Sequence, residues 1–438
     1  MLFYSFTYLL VFLPTTLFLY FGLRYLKFNS FHFLIFASIF FYSWWNIYYL
    51  PIILFSIVTN FYFSKILQKE NLHKKKYLIL SIIVNILLLA IFKYLDFFIE
   101  NYNLIFKTKI EPLNLPFPLA ISFFTFQSIA FLVNVYDNEI KEIKFKKFFL
   151  FVIFFPQLIA GPIVKYNFMV PQLSNIANLR FNNKNFIIGL TILLIGLFKK
   201  VYLAESLSLF VENNYSDLEN LNILSSWITS ICFTFQFYFD FSGYVDMATG
   251  SALMMNIVLP ANFNSPLKAT SIINFWQKWH ITLSNFLTNY IYMPIMKTFK
   301  EFAFYKSLIA ILIVFFIAGL WHGPSWNFVV FGLLHGFGLV INHVFRTFNI
   351  RLWKLISWFL TFNFVNISFI FFKLENINQS IIILKKMFFF EKNEFDYQAD
   401  YLAIFNNDYN LLITLCLSII ICFCFKNSYS LIEKLSIR

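Results

Sequence analysis

The 438 residues read as an all-α integral membrane protein of many spans. Hydrophobic residues make up 60% of the chain, aromatics 22% with 65 phenylalanines among them, and charged residues only 13%, well beyond the apolar share of a water-soluble domain. Apolar stretches close to the roughly 20 residues that cross a bilayer recur from end to end. Inside lipid every backbone polar group must be paired within its own segment, and for runs of this length a helix does that. No stretch is polar enough to form a soluble domain, so residues 1–438 read as a single polytopic domain.

The basic residues place the spans and orient them. The net charge is +13, yet the lysines and arginines sit in short groups between apolar runs. Enrichment of cytoplasmic loops in Lys and Arg explains them without a nucleic-acid partner. Arg24 with Lys27, Lys65 with Lys69 and 74–76, the lysines of 141–147, Lys165 with Arg180 and Lys184, Arg346 with Arg351 and Lys354, and Lys426 with Lys434 and Arg438 are assigned to the cytoplasm. Glu212, Asp217 and Glu219, and a mixed stretch holding Glu391, Glu394, Asp396, Asp400 and Asp408, face outward.

Threading between these anchors yields spans at 1–23, 31–46, 47–64, 77–98, 117–136, 186–210, 222–258, 305–323, 326–345, 352–373 and 410–426, about eleven crossings with the N-terminus outside and the C-terminus inside. The first run lacks a basic start and a small-residue cleavage site, so it is taken as a retained span. Residues 31–63 are split into two short spans turning near Trp45-Asn46, because lysines flank both sides. Residues 148–161 are too short to cross and contain Pro156 and Gly161-Pro162, which stop a helix, so they read as a re-entrant element entered from the cytoplasm. Residues 274–294 carry Asn274, Gln277, Lys278, His280, Ser284 and Asn285. They suit membrane depth only when packed in protein or lining an aqueous funnel.

Ionisable groups in such surroundings mark where chemistry is done. An ionisable side chain at membrane depth costs several kcal/mol unless it meets a partner or a wet cavity. His322 lies in the apolar run 315–336, where Gly319, Gly323 and Pro324 are expected to interrupt the helix and let backbone and substrate approach. On a continuous helix Trp276, Trp279, His280 and Leu283 would share one face, setting His280 into an aromatic wall. The plain alternative for either histidine is a hydrogen-bonded core residue. His335 and His343, in the next span, and His32 and His73, at interfaces or loops, are taken as structural. Asp240 and Asp246 flank Ser242-Gly243-Tyr244; each either pairs with a lysine or aromatic hydroxyl and fixes packing, or lines a substrate or water path. Cys232, Cys416, Cys422 and Cys424 lie in apolar runs and read as small core side chains. There is no G-x-S-x-G elbow, no P-loop and no metal-ligand spacing, so no metal is expected.

Five blocks, in order, carry a likeness to known proteins: ISFFTFQSIAFLVNVYDN at 121–138, FFPQLIAGPIVKYNFMVPQL at 154–173, the long FDFSGYVDMATG…NFWQKWHITLSNFLTNYIYMPI at 239–295, GLWHGPSWNFVVFGLLHG at 319–336, and SFIFFKLENINQS at 368–380. On these the chain resembles the membrane-bound O-acyltransferase (MBOAT) family, in its bacterial branch that acetylates alginate and peptidoglycan. The resemblance implies a helical bundle with re-entrant helices around a central tunnel, joining a cytoplasmic donor to an extracytoplasmic acceptor in the bacterial cytoplasmic membrane. It makes His322, in the Trp321-His322-Gly323 motif, the catalytic residue and His280 the second signature position. Trp276, Trp279 and Trp321 fall beside them as substrate-binding positions, and Gly161-Pro162 matches the family's re-entrant glycine-proline. Where relatives read Arg-Asp-Tyr this chain has Thr288-Asn289-Tyr290, Ile295-Met296 replace paired glycines, and Phe372-Lys373 replaces phenylalanine-arginine.

The chemistry agrees with that role. Moving an acyl group from a thioester to a hydroxyl needs a base for the hydroxyl proton and a donor for the oxyanion, and an imidazole serves the first need. His322 is the expected base, with His280, Trp276 and Trp279 orienting the donor; a covalent acyl-enzyme stays open beside direct transfer. The resemblance implies acetyl-coenzyme A as donor and a polysaccharide as acceptor, reached through a secreted esterase-fold transferase; the outer loop at roughly 375–410 either docks such a partner or, by its aromatic and acidic mix, forms an interfacial helix. Transfer of D-alanine to teichoic acid by the same fold, and a glycan-lipid flippase or polymerase, are the alternatives; no internal repeat of the kind transporters show is evident.

Overall fold

The computed structural model describes residues 1–25, 30–69, 72–159, 161–299, 301, 303–389 and 409–430, and among them every regular element is a helix. They form two compact units, Met1–Ile195 with Tyr244–Ala261, and Gly196–Gly243 with Asn262–Arg438.

In the first unit a π-helical turn, Thr7–Phe12, runs into α1 (Leu13–Tyr25). There follow α2 (Ser30–Ser43), α3 (Leu50–Gln68), α4 (Lys74–Phe106) and α5 (Ile121–Tyr136). The turn between α2 and α3 falls where the sequence places it, because the Asn46 side chain accepts from Tyr48 N–H at 2.9 Å and caps a short 3₁₀ turn. Two buried amides then lock α3 to α4: Asn60 and Asn85 donate to each other's carbonyl oxygens at 3.1 and 2.7 Å. With no water at that depth, reciprocal pairing satisfies both side chains. Two lysines tie this region together, Lys65 Nζ donating to Ile143 O in the loop before the next helix and Lys74 Nζ to Tyr136 O at the end of α5, both at 2.8 Å.

The segment expected to be re-entrant is a broken helix, α6 (Phe145–Ile153) and α7 (Phe155–Leu158), with Phe154 turned out of helical geometry and Pro156 in the first turn of α7. Phe148 and every residue from 150 to 158 are buried. At Gly161 a Cβ would stand 2.5 Å from the Gln157 Cα, so only glycine fits where the chain turns back. α8 (Tyr166–Ser174) follows, then α9 (Asn183–Leu197), which a π-helical stretch, Phe198–Ala204, joins to α10 (Glu205–Ser216). The boundary between the units falls within α9 and again within α11 (Ile223–Met254).

The second unit adds two short helices, α12 (Ile272–Trp276) and α13 (Ile281–Leu287), a π-helical turn at Thr288–Tyr292, and α14 (Met293–Thr298). It closes with α15 (Phe304–His322), α16 (Trp326–Thr347), α17 (Lys354–Lys373), α18 (Ile377–Phe388) and α19 (Tyr409–Cys424). One expectation fails here: Gly319 does not interrupt α15, which runs through it to His322. Its purpose is close approach. A Cβ on Gly332 would lie 2.3 Å from Phe315 O and 2.8 Å from Gly319 Cα, so α15 and α16 touch backbone to backbone.

Every predicted span coincides with a helix. Among the described residues six helical stretches, Ile47–Gln68, Lys74–Phe106, Asn183–Ser216, Phe304–His322, Trp326–Thr347 and Lys354–Lys373, are long and apolar enough to cross a bilayer, and four shorter apolar ones accompany them; α11, at the predicted span 222–258, is in neither group. The chain is therefore a multi-pass membrane protein. The sequence counted about eleven crossings; the shorter helices are apolar like the rest but end sooner, at turns such as the one Asn46 caps. Lys27, Lys434, Arg438 and the acidic stretch from Glu391 to Asp408 lie outside the described residues, as does most of the proposed outer docking loop beyond α18.

Candidate active site

His322 ends α15. The backbone of Gly323 is extended, and a Cβ there would come within 2.3 Å of the Phe328 ring, so the glycine both stops the helix and admits that ring. Ser325 then starts α16 by accepting from Asn327 N–H at 3.2 Å. The half-buried imidazole sits among aromatic rings: Trp321 at 4.9 Å, Phe372 at 5.1 Å and Phe331 at 5.5 Å between centroids. This is the low-dielectric, partly desolvated setting in which proton transfer by histidine is effective.

His280 is placed differently from the sequence expectation. The continuous helix that would align Trp276, Trp279, His280 and Leu283 is absent; α12 ends at Trp276, α13 begins at Ile281, and His280 between them is left-handed, with φ 42° and ψ 53°. A non-glycine residue in that region costs on the order of 1 kcal/mol. Asn262 supplies the compensation. Its backbone carbonyl accepts from Ile281 N–H at 3.0 Å, and its side-chain Oδ1 accepts from Thr282 N–H at 3.1 Å and Thr282 Oγ1 at 2.9 Å.

Those bonds also decide the histidine's tautomer. The Thr282 N–H can only donate, which sets the Asn262 amide with its oxygen toward the kink, 3.2 Å from His280 Nδ1. Nδ1 therefore carries the proton and Nε2 carries the lone pair. Nε2 is buried, with no hydrogen-bond partner among the described residues, and the ring as a whole is only 2% exposed. It packs against Phe241 at 4.9 Å and Trp321 at 6.1 Å. The Trp321 indole thus contacts both imidazoles. Trp279 is boxed by Phe263, Phe237, Phe369 and Phe275, and Trp276 is likewise buried.

The other residues singled out from sequence separate. Asp240 forms an ion pair with Lys200 of the π-helical stretch, the packing role foreseen as its alternative, and next to it Gly243 leaves no room for a Cβ, which would be 2.7 Å from Gly196 O. Asp246, Gly161 and Pro162 belong to the first unit, whereas His280, His322 and the three tryptophans belong to the second. A cavity of about 400 Å³ opens beside Trp276, lined by Gln277, Ser284, Asn285, Thr288 and Tyr292 opposite Ile311, Val314 and Phe315; His280 and His322 are not in its wall. Among the described residues no group of three or more His, Cys, Asp or Glu is gathered as a metal site would need. Sequence reasoning missed Asn262, whose only signal was its place between Ala261 and Phe263 ahead of the second histidine block.

Asn262→Leu keeps the branched shape but strips three donors of their shared acceptor. Each buried donor left unpaired costs roughly 1–3 kcal/mol. A lowered melting temperature in detergent and acyl transfer reduced at least tenfold are expected; a variant as stable and active as the parent would show that Asn262 does not hold the kink.

Within the second unit, then, two imidazoles pack against one indole in a chain of apolar helices. Residues 36–380 match the model of the membrane-bound O-acyltransferase family, and the chain belongs to that family. It is an acyltransferase. It is 44% identical over 386 residues to the peptidoglycan O-acetyltransferase of Helicobacter pylori, covering 81% of this chain and 73% of that one. It is 32% identical over 407 residues to the probable alginate O-acetylase of Pseudomonas aeruginosa, covering 89% and 75%. A teichoic acid D-alanyltransferase of Bacillus subtilis matches at 25% over 54% of this chain and 62% of that protein.

Proposed function

We propose that the protein transfers acetyl groups from cytoplasmic acetyl-coenzyme A, through the membrane, toward O-acetylation of an extracytoplasmic polysaccharide such as peptidoglycan or alginate. The observation that carries this reading is the Trp321 indole in contact with both imidazoles, in a chain 44% identical to a peptidoglycan O-acetyltransferase. His322 takes the proton of the accepting hydroxyl. His280, its Nδ1–H committed to Asn262, presents Nε2 as a second basic nitrogen that orients the acyl carbonyl's surroundings with Trp276, Trp279 and Trp321. A thioester is already activated, so the step needs only proton transfer and positioning: the C–S bond breaks, the C–O bond forms, and the hydroxyl proton leaves through imidazole to the thiolate.

In this reading the chain sits in the bacterial cytoplasmic membrane with its N-terminus outside and its C-terminus inside, a central tunnel joins the two faces, and a secreted esterase-fold transferase completes delivery to the glycan. Gly161-Pro162 shapes the cytoplasmic entry. The larger share of this chain covered by the acetylating relatives, against 54% for the alanylating one, favours acetyl over D-alanyl transfer.

Purified protein in lipid nanodiscs, given acetyl-coenzyme A labelled in the acetyl group and short glycan acceptors with and without the candidate secreted partner, tests the proposal. Release of free coenzyme A with label recovered on glycan or partner is expected. Turnover of a D-alanyl carrier protein with acetyl-coenzyme A untouched would replace acetylation by alanylation. Consumption of neither would overturn the donor assignment.

A further inference from the structure

His335 sits at the centre of a closed hydrogen-bond chain. It is completely buried on α16. The Trp276 indole Nε1–H donates to its Nδ1 at 3.2 Å, and its Nε2 lies 2.9 Å from Ser368 Oγ on α17. The Ser368 hydroxyl donates onward to Val365 O at 2.8 Å, so the serine oxygen is left to accept from Nε2–H. An indole N–H can only donate and a peptide carbonyl can only accept. Every proton in the chain is therefore placed, and His335 is held as the Nε2–H tautomer with Nδ1 as acceptor.

The same ring is clamped by packing. Phe275 stacks on it at 6.0 Å with planes 14° apart, and Phe331 meets it edge-on at 4.6 Å. Phe331 also touches His322. The indole that His335 holds is a wall of the cavity of about 400 Å³ beside α12 and α13. Leu339 and His343, which also line that cavity, lie in the half of α16 leading to Arg346, on the side that the lysine and arginine pattern assigns to the cytoplasm. Apart from Trp276, the wall offers amide, hydroxyl and apolar groups and the single imidazole of His343, with no carboxylate, lysine or arginine.

We propose that His335 is a positioning residue: by accepting the Trp276 indole N–H it fixes the direction of that ring in the cavity wall and so sets how tightly the acyl donor is held. The inference rests on the acyl-transfer reading above, with Trp276 in contact with the donor. Its loss frees the indole to rotate while leaving both His280 and His322 in place.

The test is a kinetic double-mutant cycle on purified protein in nanodiscs. His335→Leu is expected to raise KM for the donor about tenfold with kcat changed less than about twofold. His335→Asn, which returns an acceptor near the place of Nδ1, recovers most of the loss, whereas His335→Gln, which reaches Ser368 but not the indole, does not. Trp276→Phe removes the N–H itself, so in that background His335→Leu adds little. Additive effects in the cycle, a fall in kcat and melting temperature with KM unmoved, or an asparagine variant as poor as leucine would each overturn the proposal. If wild-type protein uses a D-alanyl carrier in place of acetyl-coenzyme A, the donor assignment fails and the same cycle is read with that carrier.

Discussion

Acyl transfer by His322→Ala is expected to fall by about 10³-fold or more while the protein still inserts and assembles, because the mechanism proposed above makes the imidazole the proton acceptor, and its removal withdraws general-base catalysis. Folding is spared by the ring's position. It is half-buried at the very end of α15, and the helix before it is held by the backbone contact of Gly319 with α16 rather than by the histidine. The measurement is single-turnover transfer from labelled donor, alongside size-exclusion and thermal unfolding in detergent. His322→Gln, which keeps hydrogen bonding but offers no titrating nitrogen, should be as inactive as alanine. Transfer at the wild-type rate by a folded variant of either kind would remove His322 from the mechanism.

The second large effect falls on assembly. Gly332→Leu is expected to destabilise the protein by about 3 kcal/mol or more, since the new side chain would be driven into the Phe315 carbonyl and the Gly319 backbone, which cannot rotate away. Forcing α15 and α16 apart also displaces His322 from Phe331 of α16, so any folded fraction should be inactive. Gly338 provides the internal comparison: there a Cβ meets the Phe364 ring at 2.9 Å, a side chain that can shift, and Gly338→Ala should be tolerated far better. Thermal unfolding of the two variants side by side checks this; equal melting temperatures would mean that the two helices do not meet at Gly332.

Much of the architecture was readable before any coordinates. Runs of apolar residues near membrane length, separated by lysine groups, located the helices, because burial in lipid demands helices and the charges resist crossing. The turn at Trp45-Asn46 follows from the lysines that flank both sides of 31–63, and the break in 148–161 from proline and glycine acting over a few residues. The errors arose where composition has two physical outcomes. Gly319 was read as a helix breaker and is instead a contact surface, since a glycine that loosens a helix in water lets a partner helix approach in a bilayer. The segment around His280 had the period of a helix and yet folds as two short ones, because Asn262, eighteen residues earlier, competes for its N–H groups.

Composition and the linear order of charges thus determined that this is a helical membrane protein, and motifs such as the one around His322 pointed to its family, because both are written in neighbouring residues. The kinked backbone at His280, the protonated nitrogen on each buried ring, the shared indole of Trp321 and the support of Trp276 by His335 were decided only when distant segments met. A hydrogen bond or ring contact between residues far apart along the chain leaves no local period or spacing to read, and it is such contacts that give these histidines their direction.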